Sequence, residues 1–167
     1  PDETLIVVSA DHETGGLVLG KGSYSLNLKA VASQRMSIAK LGSELHKLHD
    51  KYGDKYNWEV ARAFLADNFG FWGDVQVDDE QTARLQRSFQ RVLEGKGVDS
   101  KSLYQKDNEF AGTIKRVMSE CAQVGWMSGG HSDGYVPCFA IGVGAEQIHG
   151  RIDNTEIPLA MAKAAGW

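Results

Sequence analysis

An aspartate and a histidine stand side by side at Asp11 and His12, directly after the unbroken apolar run Leu5-Ile6-Val7-Val8 and just ahead of the paired glycines Gly15 and Gly16. A hard carboxylate oxygen next to an imidazole nitrogen is a donor pair that suits zinc. Far downstream a further imidazole, His131, lies in a second glycine-rich stretch, Gly129-Gly130-His131-Ser132-Asp133-Gly134. A capping aspartate in a turn is the commoner use of an Asp-His pair after a strand. The surrounding elements must decide between the two uses.

The four apolar residues ahead of Asp11 show no polar alternation, which reads as a strand buried on both faces in a parallel sheet. Asp11 and His12 then fall just past its carboxyl end, where open α/β sheets bind their ligands. Gly15 and Gly16 supply the backbone freedom for a sharp turn away from that point. Leu17 to Leu19 reads as a short second strand and Gly20 to Ser25 as a turn-rich connection.

Helices dominate the middle of the chain. Ile38, Leu41, Leu45, Leu48 and Tyr52 recur at steps of three and four and predict a helix ending near Gly53. A second is signalled by Asn57 as N-cap, the stripe Trp58, Ala61, Leu65 and Phe69, and Gly70 at its end. A third opens on Asp78 and Gln81, a capping-box spacing, and closes at Gly95. The fourth carries Phe110, Ile114, Val117, Cys121 and Val124 and should stop at Gly125. Residues 96 to 106 join the last two as a polar loop.

The α/β pattern returns with residues 124–128 and a second buried-strand candidate over 135–142. Pro137 there implies an edge strand or a later entry into the sheet. Asn154 or Thr155 can cap a terminal helix that tolerates Pro158 in its first turn and ends at Gly166. The expected organisation is therefore an α/β part made of residues 1–33 and 125–167, interrupted by a helical insertion or lid over 34–124.

Several other features invite chemistry and are better read as structure. His46 and His49 are spaced to hold a metal, but with Asp50 they read as solvated polar positions. Phe69, Phe71 and Trp72 read as core rather than a substrate wall. Gly142-Val143-Gly144-Ala145 lacks the third glycine and helix onset of a dinucleotide fingerprint.

The 167 residues, 42% of them hydrophobic, suffice for one ordinary globular domain, and the mean hydropathy of −0.33 is that of a soluble composition. A net charge of −4 and a pI near 5.7, with cations scattered among acids, argue against a nucleic-acid partner. No stretch approaches the roughly eighteen apolar residues of a membrane span. Cys121 and Cys138 lack CxxC spacing and read as free, buried thiols, although a disulfide between them would suit an exported protein. Pro1 to Thr4 leads straight into what reads as a central strand, so an upstream part of a longer protein is expected.

Ser9-Ala10-Asp11-His12-Glu13-Thr14-Gly15-Gly16 and Gly129-Gly130-His131-Ser132-Asp133-Gly134-Tyr135-Val136-Pro137 resemble the two C-terminal metal-ligand motifs of alkaline phosphatases. The tail from Ala140 to Ile157 is similar to that family's ending. The resemblance covers about the first twenty and the last forty residues, and the helical middle occupies the place of the family's variable crown insertion.

It implies the C-terminal part of an alkaline-phosphatase-like three-layer α/β sandwich. In its terms Asp11 and His12 bind one zinc of a two-zinc centre and His131 binds the other. The activity implied is hydrolysis of phosphate monoesters, in which a serine or threonine nucleophile attacks phosphorus to give a phosphoenzyme that is then hydrolysed. The nucleophile, the phosphate-binding arginine, the magnesium ligands and the remaining zinc ligands of such enzymes lie upstream of the first motif. No catalytic residue is therefore assigned in this chain, and neither Thr14 nor Ser132 sits at the nucleophile position. The resemblance further implies a periplasmic or secreted protein, and the truncated sheet suggests a homo-oligomer. Three rivals stand beside this reading. One is another hydrolase of the same superfamily, such as a phosphodiesterase, phosphomutase or sulfatase. Another is a non-catalytic helical interaction module, and the third is a complete small hydrolase using Asp11, His12, His131, Asp133 and His149.

Overall fold

Three of the long helices start where a side chain satisfies backbone amides that have no partner within the helix. The computed structural model describes residues 3–22, 24–96 and 109–167. In it α2 (Ile38–Tyr52) is capped by Ser37, whose hydroxyl accepts from the Lys40 amide, and it ends at Gly53 with φ 49°. Helix α3 (Trp58–Phe69) is capped by Asn57, which accepts from the Val60 amide at 3.2 Å, and it terminates in left-handed Gly70. Helix α4 (Asp79–Leu93) has the full reciprocal box: Asp78 accepts from the Gln81 amide at 2.7 Å, and the Gln81 side chain accepts from the Asp78 amide at 3.0 Å. Preceding these is α1 (Leu28–Ala32), a short helix capped by Asn27 that lies in the stretch between the predicted Gly20 to Ser25 connection and the first long helix. The polar loop expected over 96–106 lies, beyond Lys96, outside the described residues.

Helix α5 (Glu109–Ala122) ends earlier than its apolar spacing predicts. Gln123 takes φ 57°, and Val124 already belongs to strand β3 (Val124–Trp126). Val124 packs against the helical core from that strand, so the three-four spacing continues past the end of the helix.

The chain divides into two units, one of residues 18–125 and one of residues 1–17 with 126–167. In the first, a single core gathers Leu41 and Leu45 from α2, Leu65 and Phe69 from α3, Leu85 and Phe89 from α4, and Phe110, Ile114 and Val117 from α5. Phe71 and Val75 are sealed into it, and Ala30 of α1 lies within it, so residues 18–33 pack with the helices. An Arg84 guanidinium, paired with both oxygens of Glu120, ties α4 to α5, and the Gln81 amide donates to the same carboxylate. His46 and His49 lie exposed on α2 beside Asp50, at 3.6 and 3.7 Å.

In the second unit, β1 (Leu5–Val8) pairs antiparallel with β4 (Phe139–Gly142), Leu5 opposite Gly142 and Val8 opposite Phe139. This corrects the expectation of a parallel strand covered on both faces. Burial alternates along β1, with Leu5 and Val7 half-buried and Ile6 and Val8 more than half exposed. An unbroken apolar run signals two-sided burial only when both faces find cover, and in this chain one does. The covered side meets the turn at Ala145–Gln147, against which α6 (Glu156–Ala164) also packs. Pro137 lies two residues before β4 begins, consistent with its missing N–H. Gly142, at φ 110°, could not carry a side chain, since a Cβ would sit 2.0 Å from the Thr4 carbonyl oxygen. Strand β2 (Leu17–Leu19) pairs with β3 in a separate two-stranded sheet. Helix α6 follows Thr155, but its cap comes from further upstream: Asp153 accepts from both the Thr155 amide and hydroxyl. Every buried hydrophobic residue described lies between Ala30 and Ala122. Cys121 and Cys138 are free and half-buried, so neither is fully enclosed as predicted.

Candidate metal centre

Asp11 and His12 occupy the bend that follows β1, and His131 lies in the loop that leads toward β4, both within the second unit. Their two segments are held together by backbone geometry. Gly15 is buried, and its carbonyl accepts from the amides of Met127 at 2.8 Å and Ser128 at 3.0 Å. Its φ of 102° belongs to glycine, and a Cβ there would lie 2.8 Å from the Gly130 carbonyl oxygen. Only a residue with no side chain lets the two loops approach this closely.

That approach brings His12 and His131 face to face, their ring centroids 3.4 Å apart and their planes 22° from parallel. His12 Nδ1 lies 2.9 Å from the backbone carbonyl oxygen of Glu13. A carbonyl can only accept, so Nδ1 donates to it, and Nε2 is the nitrogen turned to the other side of the ring. That nitrogen faces Asp11 Oδ2 at 3.3 Å, while Asp11 Oδ1 accepts from the His12 amide at 3.1 Å. Nε2 and Oδ2 are thus neighbours, an imidazole nitrogen and a carboxylate oxygen near enough to serve one cation. The Asp11 side chain is 85% exposed, so the place is open to solvent.

Glu13 is a functional candidate that the sequence reading passed over, and Ser132, weighed there only as a nucleophile, is its partner. The Glu13 carboxylate accepts from the Gly15 amide at 2.6 Å, from the Gly16 amide at 2.7 and 2.8 Å, and from the Ser132 hydroxyl. Glu13 and Ser132 also form an isolated antiparallel bridge. The Ser132 hydroxyl first, and then the Gly16 amide, hold the Glu13 carboxyl down at about 2 against the opposing pull of desolvation. A usable signal was present: an acid two and three residues ahead of consecutive glycines can accept both of their amides. Its partner across the gap left no local trace.

Among the described residues no group of three or more His, Cys, Asp and Glu side chains is placed to hold a metal. Asp11, His12, His131, Asp133 and His149 are therefore not gathered into such a group there. Also among the described residues, no helix is long and apolar enough to cross a membrane.

The family model that matches this chain is that of alkaline phosphatase, over residues 1–167. Alkaline phosphatase 3 of Bacillus subtilis (strain 168) is 29% identical over 168 aligned residues, which take in 96% of this chain and 30% of that protein. Alkaline phosphatase 4 of the same organism is 22% identical, across 92% of this chain and 28% of its own length. The crystal structure of a cold-active alkaline phosphatase from a psychrophilic Shewanella species superposes with a TM-score of 0.69 at 26% identity, covering 98% of this chain and 34% of that one. The chain thus spans about a third of the length of the relatives it matches, and its mixed α/β architecture is the one found in that part of the solved enzyme. With the match running from the first residue to the last, the chain belongs to the alkaline phosphatase family.

Proposed function

We propose that this chain is the C-terminal portion of a zinc-dependent phosphomonoesterase, to which it contributes Asp11 and His12 as ligands of one zinc and His131 as a ligand of a second. The reading is carried by the meeting of His12 with His131 at 3.4 Å, in loops far apart in a sequence that matches the family throughout. The donor set fits the metal. A carboxylate oxygen and an imidazole nitrogen whose second nitrogen is fixed by a backbone carbonyl form a common zinc half-site, and that carbonyl orients the ring. When bound, zinc supplies Lewis acidity toward a phosphate ester.

The chain's own residues provide the frame. Asp11 and His12 offer two adjacent donors on a bend, Gly15 lets the second loop approach, and His131 is presented against His12 from that loop. With two donors for one ion and one for the other, the centre needs ligands from elsewhere in the full-length protein, as do the nucleophile and the magnesium site. This portion is inactive alone. The helical stretch 34–124 is an insertion relative to the site-bearing segments. The full-length protein acts on phosphate monoesters in the periplasm or outside the cell, as a homo-oligomer.

Replacing His12 or His131 by Ala in the full-length protein tests this directly. Each variant should lose zinc, measured by metal analysis after dialysis against chelator, and most of its hydrolysis of p-nitrophenyl phosphate. Variants that retain full zinc content and turnover, or a parent that cleaves sulfate esters in preference to phosphate monoesters, would refute it.

A further inference from the structure

Glu13 follows His12 by one residue, Ser132 follows His131 by one, and the two followers meet each other through side chains and through a backbone bridge. A carboxylate is acceptor-only, with two oxygens and about four lone-pair directions. Here those directions take the Gly15 and Gly16 amides from its own loop and the Ser132 hydroxyl from the other. The methylene stem is packed as well, since a Cβ built on Gly134 would sit 3.2 Å from Glu13 Cγ.

We infer that Glu13 is a positioning residue whose carboxylate, by binding the Ser132 hydroxyl and the Gly15 and Gly16 amides together, sets the separation and mutual tilt of His12 and His131. The inference rests on the reading of those histidines as zinc ligands. Shape within the first loop and the tie between loops are separable. Ser132→Ala removes the donor that crosses between loops, along with a long 3.4 Å contact that the hydroxyl accepts from the Gly134 amide, and Ser132→Thr restores a hydroxyl at the same place. Glu13→Ala removes both. Glu13→Gln keeps one acceptor oxygen, which at the Oε2 place can still receive the Gly15 and Gly16 amides and the Ser132 hydroxyl, so it should lie between the parent and Glu13→Ala.

The test is made in the full-length protein, with zinc affinity measured by chelator competition, geometry by the visible spectrum of the cobalt-substituted form, and folding by circular dichroism. Loop order in the metal-free protein is followed through the exchange rates of the Gly15 and Gly16 amides. Glu13→Ala should weaken zinc binding by about 10- to 100-fold and Ser132→Ala by about tenfold, the usual range for a partner lying behind a ligand. Both should alter the cobalt spectrum, and Ser132→Thr should restore affinity and spectrum. The double variant should fall no further than Glu13→Ala, because the two residues act through one contact. Should Glu13→Ala fail to fold, the Ser132→Ala and Ser132→Thr pair decides. Unchanged affinity and spectrum in Ser132→Ala and Glu13→Ala, while His12→Ala and His131→Ala shed zinc, would overturn the positioning role and leave the ligand reading standing. Zinc retained by both histidine variants would overturn the ligand reading itself, and the positioning role with it.

Discussion

In the 167-residue chain by itself Ile114 on α5 is completely buried, whereas Ile141 on β4 is 70% exposed, and truncating each to alanine there separates packing from mere hydrophobicity. Removing the buried atoms forfeits about 0.8 kcal/mol for each of three methylene-sized groups, and the remaining cavity adds about 1 kcal/mol, for a total of about 3 kcal/mol. The site is poorly able to collapse, because Phe110, Val117 and Leu85 around the core are themselves fully or almost fully enclosed and set in regular helices. At Ile141 most of the side chain already meets water, so the loss should stay below about 0.5 kcal/mol.

Native-state hydrogen exchange read by mass spectrometry, peptide by peptide, resolves the two cases without assuming a single unfolding transition. Ile114→Ala should speed exchange in peptides from α3, α4 and α5 by about 100-fold, the equivalent of about 3 kcal/mol. Ile141→Ala should leave those peptides unchanged. A change under about threefold in Ile114→Ala, or equal losses in the two variants, would show that the helical core does not carry the stability assigned to it.

Other expectations follow from the same contacts. Glu120 is held below the ordinary 4.5 of a glutamate chiefly by its hydrogen bond from Arg84, so its contribution is fully present above that value and is lost as the pH falls through its lower folded value. With both side chains a third or more exposed, Glu120→Ala should cost only about 1 kcal/mol at neutral pH, and denaturant titrations should show the gap to the parent narrowing in acid. A gap constant from pH 7 to pH 3 would contradict this sign. Burial pushes the Cys121 thiol up, and its Sγ lies 3.2 Å from the Gln76 carbonyl oxygen, to which it donates. Alkylation of Cys121 at pH 8 should therefore run well below the rate of free cysteine and reach it only in denaturant, as peptide mapping can show. If Asp11 and His12 serve one ion and His131 another, as proposed, the isolated 167-residue chain should bind zinc weakly, and tight stoichiometric uptake by calorimetry would show that further ligands complete the site.

How much of this was legible in the sequence depended on how locally each feature is determined. Asn57 with Val60 and Asp78 with Gln81 are contacts over three residues, so their spacing alone signals the helix starts that the structure has. The apolar stripes were legible for the same reason, apart from the end of α5, where Val124 keeps the period while serving β3. Short α1 escaped because five residues are too few for periodicity to register, and its cap, Asn27, also donates through its side chain to the distant Cys121 carbonyl. The direction of pairing between β1 and β4 was not readable, because an apolar run states that a strand is covered but not by which neighbour. At the candidate site the residue types pointed to Asp11, His12 and His131, yet only coordinates could bring His131 to His12 or reveal the Glu13 contact with Ser132.

The distribution of buried side chains bears on how the candidate site is kept in shape. All buried hydrophobic residues described fall between Ala30 and Ala122, so within the 167-residue chain by itself the unit that carries Asp11, His12 and His131 buries little apolar surface. What defines its loops is directional: the Gly15 carbonyl receiving two amides, the Glu13 carboxylate receiving amides and a hydroxyl, and the Glu13 carbonyl fixing the His12 ring. Hydrogen bonds of this kind set angles and distances more narrowly than packing does, but each adds little net stability where water competes. Loops built this way can be accurate in geometry and still open readily. Under the proposed reading each loop holds its own zinc together with ligands from elsewhere in the full-length protein, and the free energy of binding a metal to ligands on separate segments acts directly on the order of those segments. The expected consequence is a site-bearing unit whose protection from exchange rises sharply with zinc, beside a helical unit whose protection barely responds.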